Sequence, residues 1–322
     1  MKLILTTYEK NMSLPPEIFT IVHPYLSLRD ISSLALTNSE VNEWVDMNEV
    51  IREYYIADGG DLALDACKKG CLNLLMYLHH TKTTIPDDAI KMASTYGHLH
   101  VVKYLYTIGA DPTAYNNVAI RWASRCGHLD VVKYLCTVGA DPTVNDNCVI
   151  IMASENGHLP VVKYLHSVGA DPTAQDNNSI IFASQSGHLD VVKYLCSVGV
   201  DPTTRNNVPI IWASAKGHLP VVEYLHSVGA DPTTQNNIPI TWASQSGHLN
   251  VVKYLCSVGA DPTTQDNVSI IWASQMGHLD VVKYLHSVGA DPTAQKNSAI
   301  RWANRHHHDS VVEYLCSNGA TL

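Results

Sequence analysis

DPTTQNNIPITWASQSGHLNVVKYLCSVGA, running from Asp231 to Ala260, decides how this 322-residue chain is read. Nearly the same sequence stands before and after it. Its GHL triplet recurs at Gly97, Gly127, Gly157, Gly187, Gly217, Gly247 and Gly277, a strict spacing of 30. Seven such units run from Asp111 to Ala320, and an earlier one ends in GHLHVVKYLYTIGA at residues 97–110. A degenerate copy, KKGCLNLLMYLHH, occupies residues 68–80. A fixed period of this size marks a stacked repeat array, so residues 61–322 read as about nine copies of one motif.

Each unit reads as two short helices. In the copy that begins at Asp201, Asn207 is placed to cap the first helix, its side-chain oxygen accepting an orphan backbone N–H. Pro209 falls in the first turn, where a missing N–H is harmless. Ile210, Ala213 and Ser214 follow at helical spacing and put small residues on one face. Gly217 ends that helix in the left-handed region. Leu219, Val222 and Leu225 give the second helix its apolar stripe, and Gly229 ends it. Asp231-Pro232 then opens an extended turn, because a residue before Pro avoids helical angles. One unit cannot bury its own apolar face, whereas stacked neighbours can.

This pattern resembles the ankyrin repeat. GHLDVVKYLCSVGADP is similar to that family's second helix and exit, and VPIIWAS or IPITWAS stands where the family has TPLHLAA. The resemblance covers most of the chain. It implies an all-α solenoid of helix pairs that binds other proteins. Two departures matter. The period of 30 is shorter than the family's usual length of about 33, and the missing residues fall between Asp231 and Pro239, at the hairpin finger. Shortened fingers with little or no β-hairpin follow. The family's first-helix His is also replaced, by Arg121, Ile151, Ile181, Ile211, Thr241, Ile271 and Arg301. The last unit carries Asp309 where Leu279 stands and Asn318 where Val288 stands. A capping repeat needs a polar outer face, so these swaps predict that Leu279 and Val288 face the following repeat.

Residues 1–60 do not repeat. They hold nine acids and four bases, over half of the chain's net charge of −9. Within them, Leu14-Pro15 opens a helix that continues through Ile18 to Tyr25-Leu26. Asp30 is placed to cap a second helix bearing Ile31, and Trp44 closes a third apolar cluster. This stretch resembles an F-box: Leu14, Pro15, Glu17, Ile18, Tyr25, Leu26, Asp30, Ile31 and Trp44 occupy matching positions. The resemblance implies that Leu14, Pro15, Ile18, Tyr25, Leu26, Ile31 and Trp44 dock a Skp1-type subunit. Pro24 inside the first helix departs from that pattern, and so do Asn38, Ser39 and Glu40, where basic residues are usual. The other reading is a helical cap on the first repeat. Ankyrin arrays with F-box-like segments resemble proteins carried by large DNA viruses, which implies the cytoplasm of a host cell.

Composition narrows the function classes. An acidic balance of 21 Lys+Arg against 30 Asp+Glu argues against nucleic acid, which selects a basic face. No window reaches the roughly 18–20 apolar residues of a membrane span. MKLILTTYEK falls short of the apolar run of about 7–15 residues in a signal peptide. Eight Cys spread over a long chain read as reduced thiols in an intracellular protein. The 17 His and eight Cys are mostly products of the period. Cys136, His166, Cys196, His226, Cys256, His286 and Cys316 alternate at one position. Stacked helices lie about 8–10 Å apart, too far for a shared zinc, a disulfide or a nucleophile–base pair. With no phosphate loop, nucleophile elbow or zinc motif in view, the chain reads as a non-enzyme without a cofactor.

Within one chain the repeats compare like aligned copies. Asp-Pro-Thr, the Asn series from Asn117 to Asn297, Ala-Ser, Gly-His-Leu and Val-Val-x-Tyr-Leu barely vary. Other positions vary freely, at the end of the first helix and in the finger. The candidate target-binding residues are therefore Tyr115, Arg125, Glu155, Gln185, Arg205, Lys216, Gln245, Gln275, Met276 and Arg305. Trp122, Trp212, Trp242, Trp272 and Trp302, in register with Met152 and Phe182, allow an aromatic binding stripe. They stand where the ankyrin family has a buried Leu, and inter-repeat core packing is the stronger reading.

Overall fold

The thirty-residue unit folds as two antiparallel helices whose junctions are all set by residues with positive φ. In the computed structural model, which describes residues 61–80 and 82–322, the described residues hold helices and turns and no strand. The chain forms two compact units, one ending at Asp141 and the other spanning Pro142–Leu322. The first contains α1 (Leu62–Lys69), α2 (Leu72–His80), α3 (Ala89–Thr95), α4 (Leu99–Thr107), α5 (Ala114–Arg125) and α6 (Leu129–Thr137). The second contains six further pairs: α7 (Val144–Glu155) with α8 (Leu159–Ser167), α9 (Ala174–Gln185) with α10 (Leu189–Ser197), α11 (Thr204–Ala215) with α12 (Leu219–Ser227), α13 (Thr234–Gln245) with α14 (Leu249–Ser257), α15 (Thr264–Gln275) with α16 (Leu279–Ser287), and α17 (Ala294–Arg305) with α18 (Asp309–Ser317). Within each unit, first helices stack on first helices and second on second, as in a helical solenoid.

The core follows from helix geometry. Ile210, Ala213 and Ser214 on α11, with Val221, Val222 and Leu225 on α12, are buried between neighbouring repeats, and the other copies repeat the pattern. Each buried Val, Leu or Ile contributes about 1.5–3 kcal/mol. Leu219 is only half-buried, so Val221 completes the stripe in its place.

Both helices of a pair end in the same hydrogen-bonded motif. His218 N–H donates to Ala213 O at 2.9 Å and Gly217 N–H to Ser214 O at 3.2 Å. Ala230 N–H donates to Leu225 O at 3.0 Å and Gly229 N–H to His226 O at 3.1 Å. These are Schellman closures, which require a left-handed residue, and the two glycines supply φ of +77° and +104°.

The finger departs from the sequence expectation. Arg205, Asn206 and Asn207 all adopt left-handed angles, with φ of 50°, 60° and 67°. The same three-residue turn recurs in each full repeat from Tyr115 onward. A left-handed residue other than Gly costs about 1–2 kcal/mol, and Asn and Asp tolerate it best. That tolerance explains why the second and third positions are almost always Asn or Asp. Asn207 is thus not the cap of its own helix. Its Oδ1 accepts from Asp231 N–H of the next repeat at 2.9 Å, and its Nδ2 donates to Thr234 Oγ1 at 3.4 Å. The amide therefore bridges two repeats. Asp231 Oδ1 in turn accepts from Thr233 N–H and Thr233 Oγ1–H at 2.8 and 2.7 Å, closing the Asp-Pro-Thr turn.

The His of GHL also joins repeats. His218 Nε2 lies 3.0 Å from Gln185 O, His278 Nε2 3.1 Å from Gln245 O, and His128 Nε2 2.9 Å from Thr95 O. A carbonyl only accepts, so Nε2 carries the proton. The bond satisfies a carbonyl left open at the end of the preceding first helix. The ring lies against the preceding glycine: a Cβ on Gly187 would stand 2.5 Å from His218 Nδ1.

The last repeat presents a polar face, and it extends beyond the two positions expected: Asp309 is exposed where Leu279 is half-buried. Val288 is 39% exposed although a repeat follows it. The other positions that turn outward are those of Ile271 and Ser274, 6% and 0% exposed; their counterparts Arg301 and Asn304 are exposed.

Candidate functional site

The first-helix face is built by the 100° step of the helix. In α11, Ile210, Ile211, Ala213 and Ser214 make the buried arc. Trp212 falls on its flank, one turn before Ala215 and Lys216, so these three share a line. Trp212, Trp242, Trp272 and Trp302 are all half-buried, as are Met152 and Phe182 in the same row. Part of each of these side chains is covered and part is open to solvent. Trp212 and Trp242 meet edge to face, with centroids 5.4 Å apart and planes at 62°.

Cations lie on some of these rings. Lys216 Nζ is 6.0 Å from the centroid of Trp212, and the Arg305 guanidinium is 5.2 Å from that of Trp302. In the first unit, Arg125 lies 5.2 Å from the Trp122 centroid. Contacts of this kind are worth about 0.5–1 kcal/mol when exposed. The neighbours of Trp242 and Trp272 are uncharged: Gln245, Ser246, Gln275 and Met276. Met276 is 44% exposed. Glu155 is exposed beside the half-buried Met152, and Gln185 is half-buried beside Phe182. A further apolar row accompanies the tryptophans, since Val208, Ile238 and Val268 are half-buried four residues before them. Its i,i+4 spacing from each Trp is the signal that marks this row in the sequence.

The finger residues among the candidates lie elsewhere and engage the preceding repeat. Arg205 Nη2–H donates to Gln175 O at 2.9 Å and lies 3.5 Å from the Asp176 carboxylate. Gln235 donates to Asn206 O at 3.0 Å and Gln295 to Asp266 O at 3.0 Å. Tyr115, 61% exposed, donates its hydroxyl to Asp87 Oδ2 at 3.2 Å, and the negative charge of Asp87 pushes its ionisation upward. At this position, then, variable side chains hold the open carbonyls or carboxylates of the preceding finger.

The second-helix face is likewise occupied by joints between repeats. His166, His226 and His286 Nδ1 each stand 2.8 Å from the hydroxyl of Tyr194, Tyr254 and Tyr314. Cys196 and Cys256 hydrogen-bond Tyr224 and Tyr284 in the same way. The Cys–His alternation therefore supplies two chemically different partners for one Tyr hydroxyl. Burial pushes the Cys196 and Cys256 thiols upward, and burial drives Cys67 up to about 12. None of the eight Cys is joined in a disulfide. The lysines of Val-Val-Lys-Tyr-Leu lie over the next Tyr ring, as Lys163 does at 5.5 Å from Tyr194. Among the described residues, no group of three or more His, Cys, Asp or Glu is placed to hold a metal ion. No described helix is long and apolar enough to cross a membrane.

The F-box-like residues Leu14, Pro15, Ile18, Tyr25, Leu26, Ile31 and Trp44 lie outside the described residues. Of the remaining candidates, Glu155, Gln185, Lys216, Gln245, Gln275, Met276 and Arg305 share the first-helix row of the second unit, and Arg125 holds the equivalent place within the first. Arg205 and Tyr115 stand apart in the fingers.

Profiles of known families match most of the described chain. One described as ankyrin repeats (3 copies) matches residues 63–146, 144–206 and 204–266, and one described as ankyrin repeat matches residues 269–297. No curated protein matches the chain.

Proposed function

The chain belongs to the ankyrin-repeat family, a scaffold for protein–protein interaction, and on that premise we propose that it is the target-holding adaptor of a cullin-type ubiquitin ligase. In this reading residues 1–60 form an F-box-like module whose segment 12–45 docks a Skp1-type subunit. Residues 61–322 hold the target, and other subunits transfer ubiquitin. The chain works in the cytoplasm of a host cell and is not itself an enzyme.

One observation supports the placing of the target. The fingers and second helices are taken up by joints between repeats, while the first-helix face carries half-exposed tryptophans beside the side chains that vary most. Variation there changes the surface without loosening the stack. The ligase part rests on the pattern of Leu14, Pro15, Ile18, Tyr25, Leu26, Ile31 and Trp44.

Affinity purification from host cells tests both parts. Full-length chain is expected to bring down Skp1-type and cullin subunits with a target. A chain lacking residues 12–45 is expected to keep the target and lose the ligase subunits. If those subunits are missing from both samples, the adaptor reading fails and residues 1–60 serve as a cap on a plain binding protein.

A further inference from the structure

We propose that the row from Trp212 to Trp302 binds an extended peptide segment with an apolar centre and acidic residues at both ends. The proposal rests on the first-helix face being the target-binding face.

The charge pattern along that row carries the argument. The chain as a whole is acidic, with a net charge of −9. Yet between Ala215 and His306 the two positions that end each first helix carry no carboxylate. They read Ala215-Lys216, Gln245-Ser246, Gln275-Met276 and Arg305-His306. Lys216 and Arg305 are exposed, each beside the tryptophan at its end of the row. The two middle tryptophans, Trp242 and Trp272, have neutral neighbours and are bordered by half-buried Ile238 and Val268. The row is thus cationic at both ends and uncharged in the middle, where Trp242, Trp272, Ile238 and Val268 supply its apolar surface. Aromatic and Arg side chains dominate binding energy in protein interfaces, and charge complementarity sets register and rejects wrong partners.

The spacing fixes the length of the occupant. Four tryptophans span three repeat steps, about 24–30 Å for helices about 8–10 Å apart. An extended strand rises about 3.3 Å per residue, so about 7–9 residues join one end to the other. A carboxylate at either end reaches Lys216 or Arg305, and the residues between lie on Trp242 and Trp272.

Selection from a random twelve-residue peptide display library on the purified full-length chain tests this. Recovered peptides are expected to share an apolar or aromatic centre with Asp or Glu about 7–9 residues apart. Synthetic copies should lose at least about tenfold in affinity on the double variant Trp242→Ala, Trp272→Ala. Those substitutions also thin a stacked row, so a second variant, Lys216→Glu with Arg305→Glu, leaves every buried residue in place. Selection on it is expected to yield peptides with Lys or Arg at the ends. No enrichment, basic-ended peptides on the native chain, or binding unchanged by both variants would each overturn the proposal. Copurification of ligase subunits depends on residues 12–45 and is unaffected by these outcomes. Peptides that need the tryptophans but ignore the charges would sink the proposal and leave the target-binding face standing.

Discussion

Replacing Gly217 by Ala isolates the joint between two repeats. Gly217 holds φ +77°, and a Cβ there would lie 2.5 Å from His248 Nδ1 and 2.7 Å from its Cε1. The left-handed angle alone costs about 1–2 kcal/mol in a residue with a Cβ. The ring must also move, which weakens the hydrogen bond from His248 to the Ala215 backbone, worth about 0.5–1.5 kcal/mol. Restricting the unfolded chain returns about 0.4–1 kcal/mol. The net loss is about 0.5–3 kcal/mol, placed at the junction of α11–α12 with α13–α14. Long repeat arrays do not unfold in one step, so the readout is amide hydrogen exchange of Val221, Val222, Val251 and Val252. A double-mutant cycle with His248→Ala separates the two causes. With the ring gone, only the conformational cost remains, and a coupling of about 0.5–1.5 kcal/mol is expected. Gly229→Ala is the reference, because no atom lies within 4 Å of its would-be Cβ and its cost should ignore His248. Zero coupling between positions 217 and 248 would refute the reasoning. The chain already contains one natural comparison: His307 occupies the glycine position at φ +60°, in the repeat on which no later His ring rests.

Asn207→Ala removes the acceptor of Asp231 N–H and a residue suited to left-handed angles; about 1–3 kcal/mol should be lost, and Asp231 should exchange its amide faster than Asp261. Burial holds the pKa of His188 and His248 below the ordinary 6.5, so the unfolded chain binds more protons than the folded one just below that pH. Stability is therefore complete above about pH 6.5 and falls as the pH drops through the lower folded values; thermal melts from pH 7.5 to 5 should show the loss, and a His188→Gln, His248→Gln variant should show a shallower slope. Cys316 is exposed, whereas burial raises the Cys256 thiol; a thiol reagent at pH 8 should modify Cys316 first, and equal rates would contradict the burial.

The strict return of Gly-His-Leu and Val-Val-x-Tyr-Leu was enough to read helix pairs, their order and the shortened finger. Both glycines of each repeat could be placed in the left-handed region because helices end in few ways. Asn207 misled because one amide serves two purposes: Asn is favoured as an N-cap and also tolerated at positive φ, and spacing within a single unit cannot separate these. The capping swaps at Arg301 and Asn304 were as visible as those at Asp309 and Asn318. Which of them face outward depends on the angle at which a neighbour stacks.

By itself, then, the sequence determined the local structure, because helix periodicity and turn chemistry act over a few residues. Tertiary structure decided which side chains join repeats. His218 reaches a carbonyl 33 residues away, Asn207 an amide 24 away, and His226 a hydroxyl 28 away. Such pairs have no signature within one repeat, since each arises only when two copies are set side by side. The same stacking half-encloses the tryptophans and leaves Lys216, Met276 and Arg305 exposed beside them, so the candidate binding face is a property of the stack.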